Sequence, residues 1–148
     1  MSQKVSKVFQ QSGVIPYRVK DGKIEVLLIT ARDRQRWVVP KGGISNGMSP
    51  PDSAAKEAWE EAGIIGQVDT HALGSYKYRK RGKTYQVQMY LLPVSKVSED
   101  YPEAGQRQRQ WLDVKKAIKR VKLRSLKRIL KESVRSTSVS SALRRCPS

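Results

Sequence analysis

The sequence predicts an α/β (α+β) fold in which a mixed β-sheet lies between helices. Short runs rich in Val and Ile alternate with segments whose apolar residues follow helical spacing. Gly, Pro and Asp separate these segments, and no internal repeat is present. A chain of 148 residues fits one domain that is long enough to bury a core.

The strands are predicted from apolar runs bounded by turn residues. SGVIPYRV and IEVLLIT are separated by Asp21 and Gly22, which is typical of a β-hairpin. WVVP predicts a short strand that stops at a proline, and the glycine-rich loop KGGISNG follows it. Further strands are expected near 64–78 and 84–94, with a basic turn between them, and a short one near residue 111.

The first predicted helix has clear signals at both ends. Ser49 can cap it, Pro50 suits its first position with Asp52 at the third, and Gly63 ends it. Small residues recur every four positions inside it, a stripe that lets the helix lie close to a sheet: Ala54, Ala58 and Ala62.

A second helical pattern follows Asp113, which can act as its N-cap. The apolar positions predict a basic helix over 115–131, and they are Val114, Ala117, Ile118, Val121, Leu126, Ile129 and Leu130. Residues 133–148 contain six serines and few large apolar side chains, so we expect a disordered tail there. The predicted domain therefore covers residues 8–132.

The composition restricts the partners and the compartment. Thirty Lys and Arg against 13 Asp and Glu give a net charge of +17, which predicts anionic partners such as polyphosphates, nucleic acid or a membrane surface. The single cysteine, Cys146, excludes an intrachain disulfide and suits a reducing compartment. The N-terminus lacks the apolar run of a signal peptide, and no stretch is long enough to span a membrane. We expect a cytoplasmic protein.

The stretch KEAWEEAG concentrates acid in a basic chain. Glu57, Glu60 and Glu61 fall on one helical face, where like charges repel by a few tenths of a kcal/mol per pair. They also lie in the last helical turn, where the helix dipole favours cations. A bound divalent cation would explain this arrangement, whereas the alternative is a solvated acidic face without a ligand.

The residues around this stretch resemble the Nudix hydrolase family, which shares the pattern G-x5-E-x7-R-E-U-x-E-E-x-G-U with U a bulky apolar residue. The spacing holds from Gly42 to Ile64. The resemblance implies an α/β/α sandwich in which the loop and helix hold Mg²⁺ or Mn²⁺ through the three glutamates. It also implies cleavage of a diphosphate linked to another group.

Two positions depart from the family pattern. Met48 replaces the first glutamate, and a thioether is a poor ligand for a hard cation. Lys56 replaces the arginine, which keeps the charge but loses the planar fork that binds a carboxylate through two hydrogen bonds. The glutamate trio is complete, so we expect activity with one metal fewer or a weaker metal site.

The flanking run YRV…LLITARDRQRWVVPKGG is similar to the enzymes that hydrolyse diphosphoinositol polyphosphates and diadenosine polyphosphates, and so is QRQWLDVKKAI. The subfamily pattern places arginines at these positions, and arginine binds phosphate oxygens well. The predicted phosphate-binding residues are Arg18, Arg32, Arg36, Lys41, Gly42 and Gly43. The basic turn KYRKRGK either closes the other side of a cleft or is a solubilising hairpin tip.

Within the trio, Glu61 is our candidate for the general base, although the sequence does not separate a base from a ligand. An alternative class remains open. Some proteins of this fold bind RNA or nucleotides without hydrolysis, and a basic C-terminal helix would bind RNA through counterion release. An enzyme that acts on the end of an RNA lies between these two classes.

Overall fold

The computed structural model describes residues 7–135. The strands are β1 (Val8–Lys20), β2 (Lys23–Thr30), β3 (Trp37–Val38), β4 (Lys41–Gly43), β5 (Ile64–Ile65), β6 (Gly74–Lys80), β7 (Lys83–Pro93), β8 (Lys96–Val97) and β9 (Arg109–Asp113). The helices are α1 (Pro50–Ala62), α2 (Val114–Arg120) and α3 (Arg124–Arg135).

A mixed sheet forms the centre of the molecule. Its strand order is β3-β2-β1-β7-β6, with β4 added to β1 and β9 added to β2. β1 and β7 run parallel with Val8 opposite Thr84, whereas the other pairs in this sheet are antiparallel. β5 and β8 form a separate two-stranded sheet. The predicted α+β fold with a mixed sheet between helices is confirmed.

Both predicted hairpin turns have the backbone conformation that matches the twist of their strands. Asp21 and Gly22 have φ angles of 52° and 73°, and Arg81 and Gly82 have φ angles of 52° and 76°. Two consecutive positive φ values define a turn that suits a two-residue hairpin. The glycine in each turn adopts this conformation without the steric cost of a Cβ.

The two faces of the sheet carry separate apolar cores. One core packs beneath α2 and α3 and includes Ile15, Leu28 and Met89. The other core packs beneath α1 and includes Val14 and Leu27. Because side chains alternate along a strand, the continuous apolar runs of β1 and β2 supply both cores at once.

The C-terminal helical region differs from the prediction. In place of one helix over 115–131 the chain forms α2 and α3, separated at Val121, which is extended (φ −74°, ψ 144°) and buried. The physical reason is visible in the spacing, since the step of five residues from Val121 to Leu126 breaks the helical series.

The predicted boundary at residue 132 falls inside α3, which continues to Arg135. Ser133 is buried, and its hydroxyl donates a hydrogen bond to the Leu130 carbonyl at 2.6 Å. The rest of the predicted tail, residues 136–148, lies outside the described residues. Within residues 7–135, none of the helices has the length and apolar character needed to cross a membrane.

We predict that ending the chain after Arg120 destabilises the domain by several kcal/mol. Leu126, Ile129 and Leu130 are each at most 2% exposed, and a buried side chain of this size contributes roughly 1.5–3 kcal/mol. Urea unfolding followed by circular dichroism measures the loss, with a chain ended after Arg135 as the control. Equal stability of the two truncated chains would contradict the assignment of α3 to the core.

Candidate functional site

Helix α1 holds the acidic cluster in a fixed position against the sheet. Its N-cap Ser49 accepts a hydrogen bond from the Asp52 amide at 3.2 Å, and Gly63 ends it in the left-handed conformation (φ 66°). The predicted small-residue stripe is fully buried at 0% exposure, namely Ala54, Ala58 and Ala62. Because these small side chains let α1 lie close to the sheet, the glutamates beside the stripe lie close to the segment that precedes α1.

Glu61 is the most deeply placed carboxylate of the trio, with 7% exposure. Its Oε1 accepts a hydrogen bond from the Lys41 amide at 3.2 Å, and its Oε2 lies 3.7 Å from Nη2 of Arg107. Burial raises the pKa of Glu61 to about 8, and nearby Glu57 and Glu103 raise it further, against the effects of Arg107 and the Lys41 amide. Burial therefore favours the protonated carboxyl at neutral pH.

Glu57 lies beside Glu61 and against the loop. A Cβ added to Gly42 would collide with the Glu57 carboxyl group, so only a glycine leaves room for this carboxylate. Burial raises the pKa of Glu57, and the charge of Glu60 adds to this, whereas a hydrogen bond with the Glu61 side chain opposes it. The structure thus places two partly desolvated carboxyl groups in direct contact.

Glu60 is oriented differently. Its Oε1 lies 3.6 Å from the Lys56 Nζ, and its side chain is one third exposed. Lys56 also donates to the Ser45 hydroxyl at 3.3 Å, so the lysine of this motif joins the helix to the preceding loop. The structure brings Glu57 and Glu61 together and turns Glu60 toward this lysine.

The carboxyl pair fits a divalent cation. Two adjacent carboxylates in a glycine-lined cradle supply the hard oxygen ligands that Mg²⁺ accepts, and Mg²⁺ usually completes its coordination with water and phosphate. Among residues 7–135, no group of three or more His, Cys, Asp or Glu side chains is arranged to hold a metal. Met48 is 41% exposed, and its sulfur accepts from the Ser53 hydroxyl at 3.8 Å.

A cavity of about 430 Å³ opens beside Glu61. Six cationic side chains line it, while Glu61 is the one acidic residue in its lining as far as the described chain extends. The cations are Arg32, Arg36, Lys41, Arg79, Lys80 and Arg107. Two of them, Arg79 and Lys80, belong to the β6–β7 hairpin. The basic stretch KYRKRGK therefore lies at the cavity, as one of the two interpretations of its sequence predicted. The cavity is suited to a polyanion.

Lys41 connects the cavity to the carboxyl pair. Its amide contacts Glu61, while its Nζ lies 4.5 Å from the Tyr78 ring centre and 3.2 Å from the Tyr78 hydroxyl. Burial lowers the pKa of Lys41 to about 8, against the effect of Glu61, and the charges of neighbouring cations lower it further. An anion entering the cavity would favour the charged form of this lysine.

Three predicted phosphate-binding residues lie outside the cavity lining. Arg18 lies 2.7 Å from a Glu25 carboxylate oxygen and is centred 4.1 Å from the Trp111 ring, so its guanidinium already has partners. Gly42 and Gly43 belong to β4 and pair with β1. Gly42 faces Glu57, whereas a Cβ on Gly43 would meet open space.

Arg107 was not identified from the sequence, and its side chain connects Glu61 with Glu103. Its side chain is 10% exposed and lies between Glu61 and Glu103, with a 2.9 Å hydrogen bond to the Glu103 carboxylate. It also donates to the Thr30 carbonyl at 3.1 Å. A signal was present, because Arg107 and Arg109 alternate with glutamines where β9 begins. The pattern does not tell which strand β9 joins, and that pairing with β2 places Arg107 at the site.

We predict that Glu61→Gln stabilises the metal-free protein by on the order of 1 kcal/mol, since it removes a desolvated acid. The pKa of Glu61 is raised from 4.5 to about 8. The wild-type protein therefore keeps its full stability below about pH 4.5, where the Glu61 carboxyl is protonated in both the folded and the unfolded state. This stability is lost as the pH rises through about 8, where the buried carboxyl must ionise.

The stability gap between Glu61→Gln and wild type should accordingly widen across that interval. Thermal unfolding in the presence of a chelator measures it. Glu132→Gln, which changes an exposed carboxylate, is the control and should change neither the stability nor its dependence on pH. A variant less stable than wild type at high pH would contradict the assignment.

The chain is similar to proteins of one family. The NUDIX domain matches residues 10–133. Nudix hydrolase 12, mitochondrial, from Arabidopsis thaliana is 32% identical over 145 residues, covering 84% of this chain and 71% of that protein. Diphosphoinositol polyphosphate phosphohydrolase 3-beta from Bos taurus is 34% identical over 98 residues, covering 64% of this chain and 58% of that protein.

A solved structure of this fold is also similar to the chain. The crystal structure of an Ap4A hydrolase from C. elegans superimposes with a TM-score of 0.73 and 25% identity, covering 87% of this chain and 98% of that one. The chain spans less than two thirds of some curated relatives, for example 58% of Nudix hydrolase 21, chloroplastic, from Arabidopsis thaliana.

Proposed function

The chain belongs to the Nudix family, and from this premise we propose that it hydrolyses a phosphoanhydride bond in a highly phosphorylated small molecule. The observation that carries the proposal is the cavity, in which six cations surround the buried carboxyl group of Glu61. A molecule with many phosphates needs many cations to hold it, and a single diphosphate does not. The names of the Bos taurus and C. elegans relatives support a diphosphoinositol polyphosphate or a diadenosine polyphosphate as the substrate.

Glu57 and Glu61 would hold a divalent cation, Mg²⁺ or Mn²⁺, with Glu60 on the adjacent turn of α1. When bound, such an ion neutralises phosphate charge and acidifies a coordinated water. A cation held by both carboxyl groups would offset the burial and the repulsion that raise their pKa values.

The residues of the cavity bind and orient the substrate. Lys41, Arg36 and the hairpin cations line the cavity, and in this proposal they contact successive phosphates and supply both positioning and charge stabilisation. Glu61, once ionised, is our candidate to accept the proton of the attacking water, because it is the carboxylate that lines this cavity. Arg107 and the Lys41 amide hold Glu61 in place.

The proposal extends to a cytoplasmic location, as the sequence suggested. Several Arabidopsis relatives carry the words mitochondrial or chloroplastic in their names, so their locations differ from one another. Fractionation of cells that express the protein with a C-terminal tag tests this point.

A phosphate-release assay tests the proposed activity and separates it from simple anion binding. We expect turnover of diadenosine or diphosphoinositol polyphosphates in Mg²⁺ and none in a chelator. Glu61→Gln should lower turnover by about a hundredfold or more, and Glu60→Gln by less because its side chain contacts Lys56. Glu132→Gln is the control that keeps the site intact.

Turnover that persists in the chelator, or full activity of Glu61→Gln, would refute the metal-dependent mechanism. Tight binding of polyphosphates without turnover under every metal condition would instead favour the non-catalytic alternative. A preference for ADP-ribose or nucleoside triphosphates would leave the family intact and overturn the substrate class.

We also predict that Arg36→Ala weakens binding of the most phosphorylated substrate most. Arg36 lines the cavity with its side chain 55% exposed, so the loss should fall near the lower end of the roughly 1.5–3 kcal/mol of a charged hydrogen bond. The measurement is KM across substrates with increasing phosphate number. Lys96→Ala removes one positive charge outside the cavity and is the control, and an equal loss in both variants would contradict the prediction.

A further inference from the structure

Helices α2 and α3 present a strongly basic surface that the proposed hydrolysis does not use. Residues 114–135 contain ten Lys and Arg and one acidic residue, Glu132. Nine of the ten cations are exposed. We call this set the α2–α3 surface, and its cations are Lys115, Lys116, Lys119, Arg120, Lys122, Arg124, Lys127, Arg128, Lys131 and Arg135.

Within the described residues, these cations lack acidic partners. No salt bridge joins any of the ten to a carboxylate within residues 7–135, whereas elsewhere in the chain Arg18 and Arg109 each have one and Arg107 has two. Lys127 caps the end of α2 through the Ile118 carbonyl, and Arg128 donates to a carbonyl of β6. The remaining cations repel one another, and a solvated helix face would ordinarily mix both signs of charge.

The surface lacks the features of a membrane anchor. The apolar side of α3 is turned into the core, where Leu126, Ile129 and Leu130 are buried. Leu123 is the one large apolar residue exposed on this surface in the described chain, at 41%. A helix that binds a bilayer needs an exposed apolar face to insert, which α2 and α3 do not offer.

The surface is continuous with the cavity, and aromatic rings lie where the two meet. Leu123 and Leu126 line the cavity together with Trp37, and the Arg120 guanidinium lies 5.4 Å from the Trp37 ring centre. Tyr85 lies in the cavity wall and stacks on Tyr78, with ring centres 5.0 Å apart. Cations that follow a phosphodiester backbone next to aromatic rings that stack on bases are typical of single-stranded nucleic acid binding.

We propose that the α2–α3 surface binds single-stranded RNA and leads the strand toward the mouth of the cavity. The phosphates of the strand neutralise the unpaired cations, and counterion release drives the association. At the cavity mouth the bases would meet Trp37, a partly buried ring that packs against the core and has the Arg120 guanidinium 5.4 Å from its centre. This binding is separate from the hydrolysis of small substrates and does not require it.

A charge-neutralising variant at the corner between the two helices tests the proposal. Lys119→Gln, Lys122→Gln and Arg124→Gln, made together in the full chain, remove three exposed cations beside Leu123. The matched control is Lys20→Gln, Lys23→Gln and Lys96→Gln, which changes the net charge equally at exposed positions outside α2 and α3. Fluorescence anisotropy with a short labelled single-stranded RNA measures affinity over a range of KCl concentrations.

We expect the corner variant to bind RNA about tenfold or more weakly than the control, with a log–log salt slope flatter by about two at roughly 0.7 per lost contact. Hydrolysis of a small polyphosphate should be equal in both, so a failure of the proposed activity would be recognised separately. Equal RNA affinity and equal salt slopes in the two variants would overturn the proposal. So would vesicles of anionic lipid that bind through this corner while RNA binding is unaffected.

Discussion

The contact between α1 and the sheet sets the chemistry of the whole site. Three alanines leave no space between helix and sheet, so Glu61 is carried below the surface and reaches the Lys41 amide. A carboxyl group held at this depth has its pKa raised to about 8. The fold keeps this unfavourable arrangement because the packing of α1 determines it, and a cation between Glu57 and Glu61 would relieve it.

The same constraint organises the positive charge around the site. Arg107 lies just before β9, which pairs with β2, and its side chain lies beside Glu61, so one cation of the cavity also supports the carboxylate. Lys41 begins β4, the strand before α1, and its Nζ is directed to the Tyr78 ring while its amide contacts Glu61. Direct contacts with the Lys41 amide and the Arg107 guanidinium therefore join the Glu61 carboxylate to two of the cavity's cationic residues. A change in the position of α1 would alter both the acidic and the basic parts of the site.

The sequence predicted the features that depend on local rules. The hairpin turns, the Ser49 cap and the Gly63 end follow from backbone preferences, and the structure confirms them. The sequence did not predict the separate orientations of Glu60 and Glu61, because helical spacing places both near one face and the neighbouring loop decides which is buried. The position of Arg107 depends on a contact with Thr30, 77 residues away, and the contact of Arg18 with Trp111 depends on β9, a strand far along the chain. Long-range pairing is the information that a single sequence lacks.

Titration of the protein with Mn²⁺, followed by electron paramagnetic resonance of the free ion, tests the central claim most directly. The measurement reports ligand binding without turnover or substrate. We predict that wild-type protein binds Mn²⁺ and that the paired change Glu57→Gln and Glu61→Gln removes this binding. Glu99→Gln and Glu132→Gln, made together as an equal change in exposed charge, should preserve it. Undiminished Mn²⁺ binding after the loss of both carboxylates would contradict the claim that Glu57 and Glu61 form the metal site.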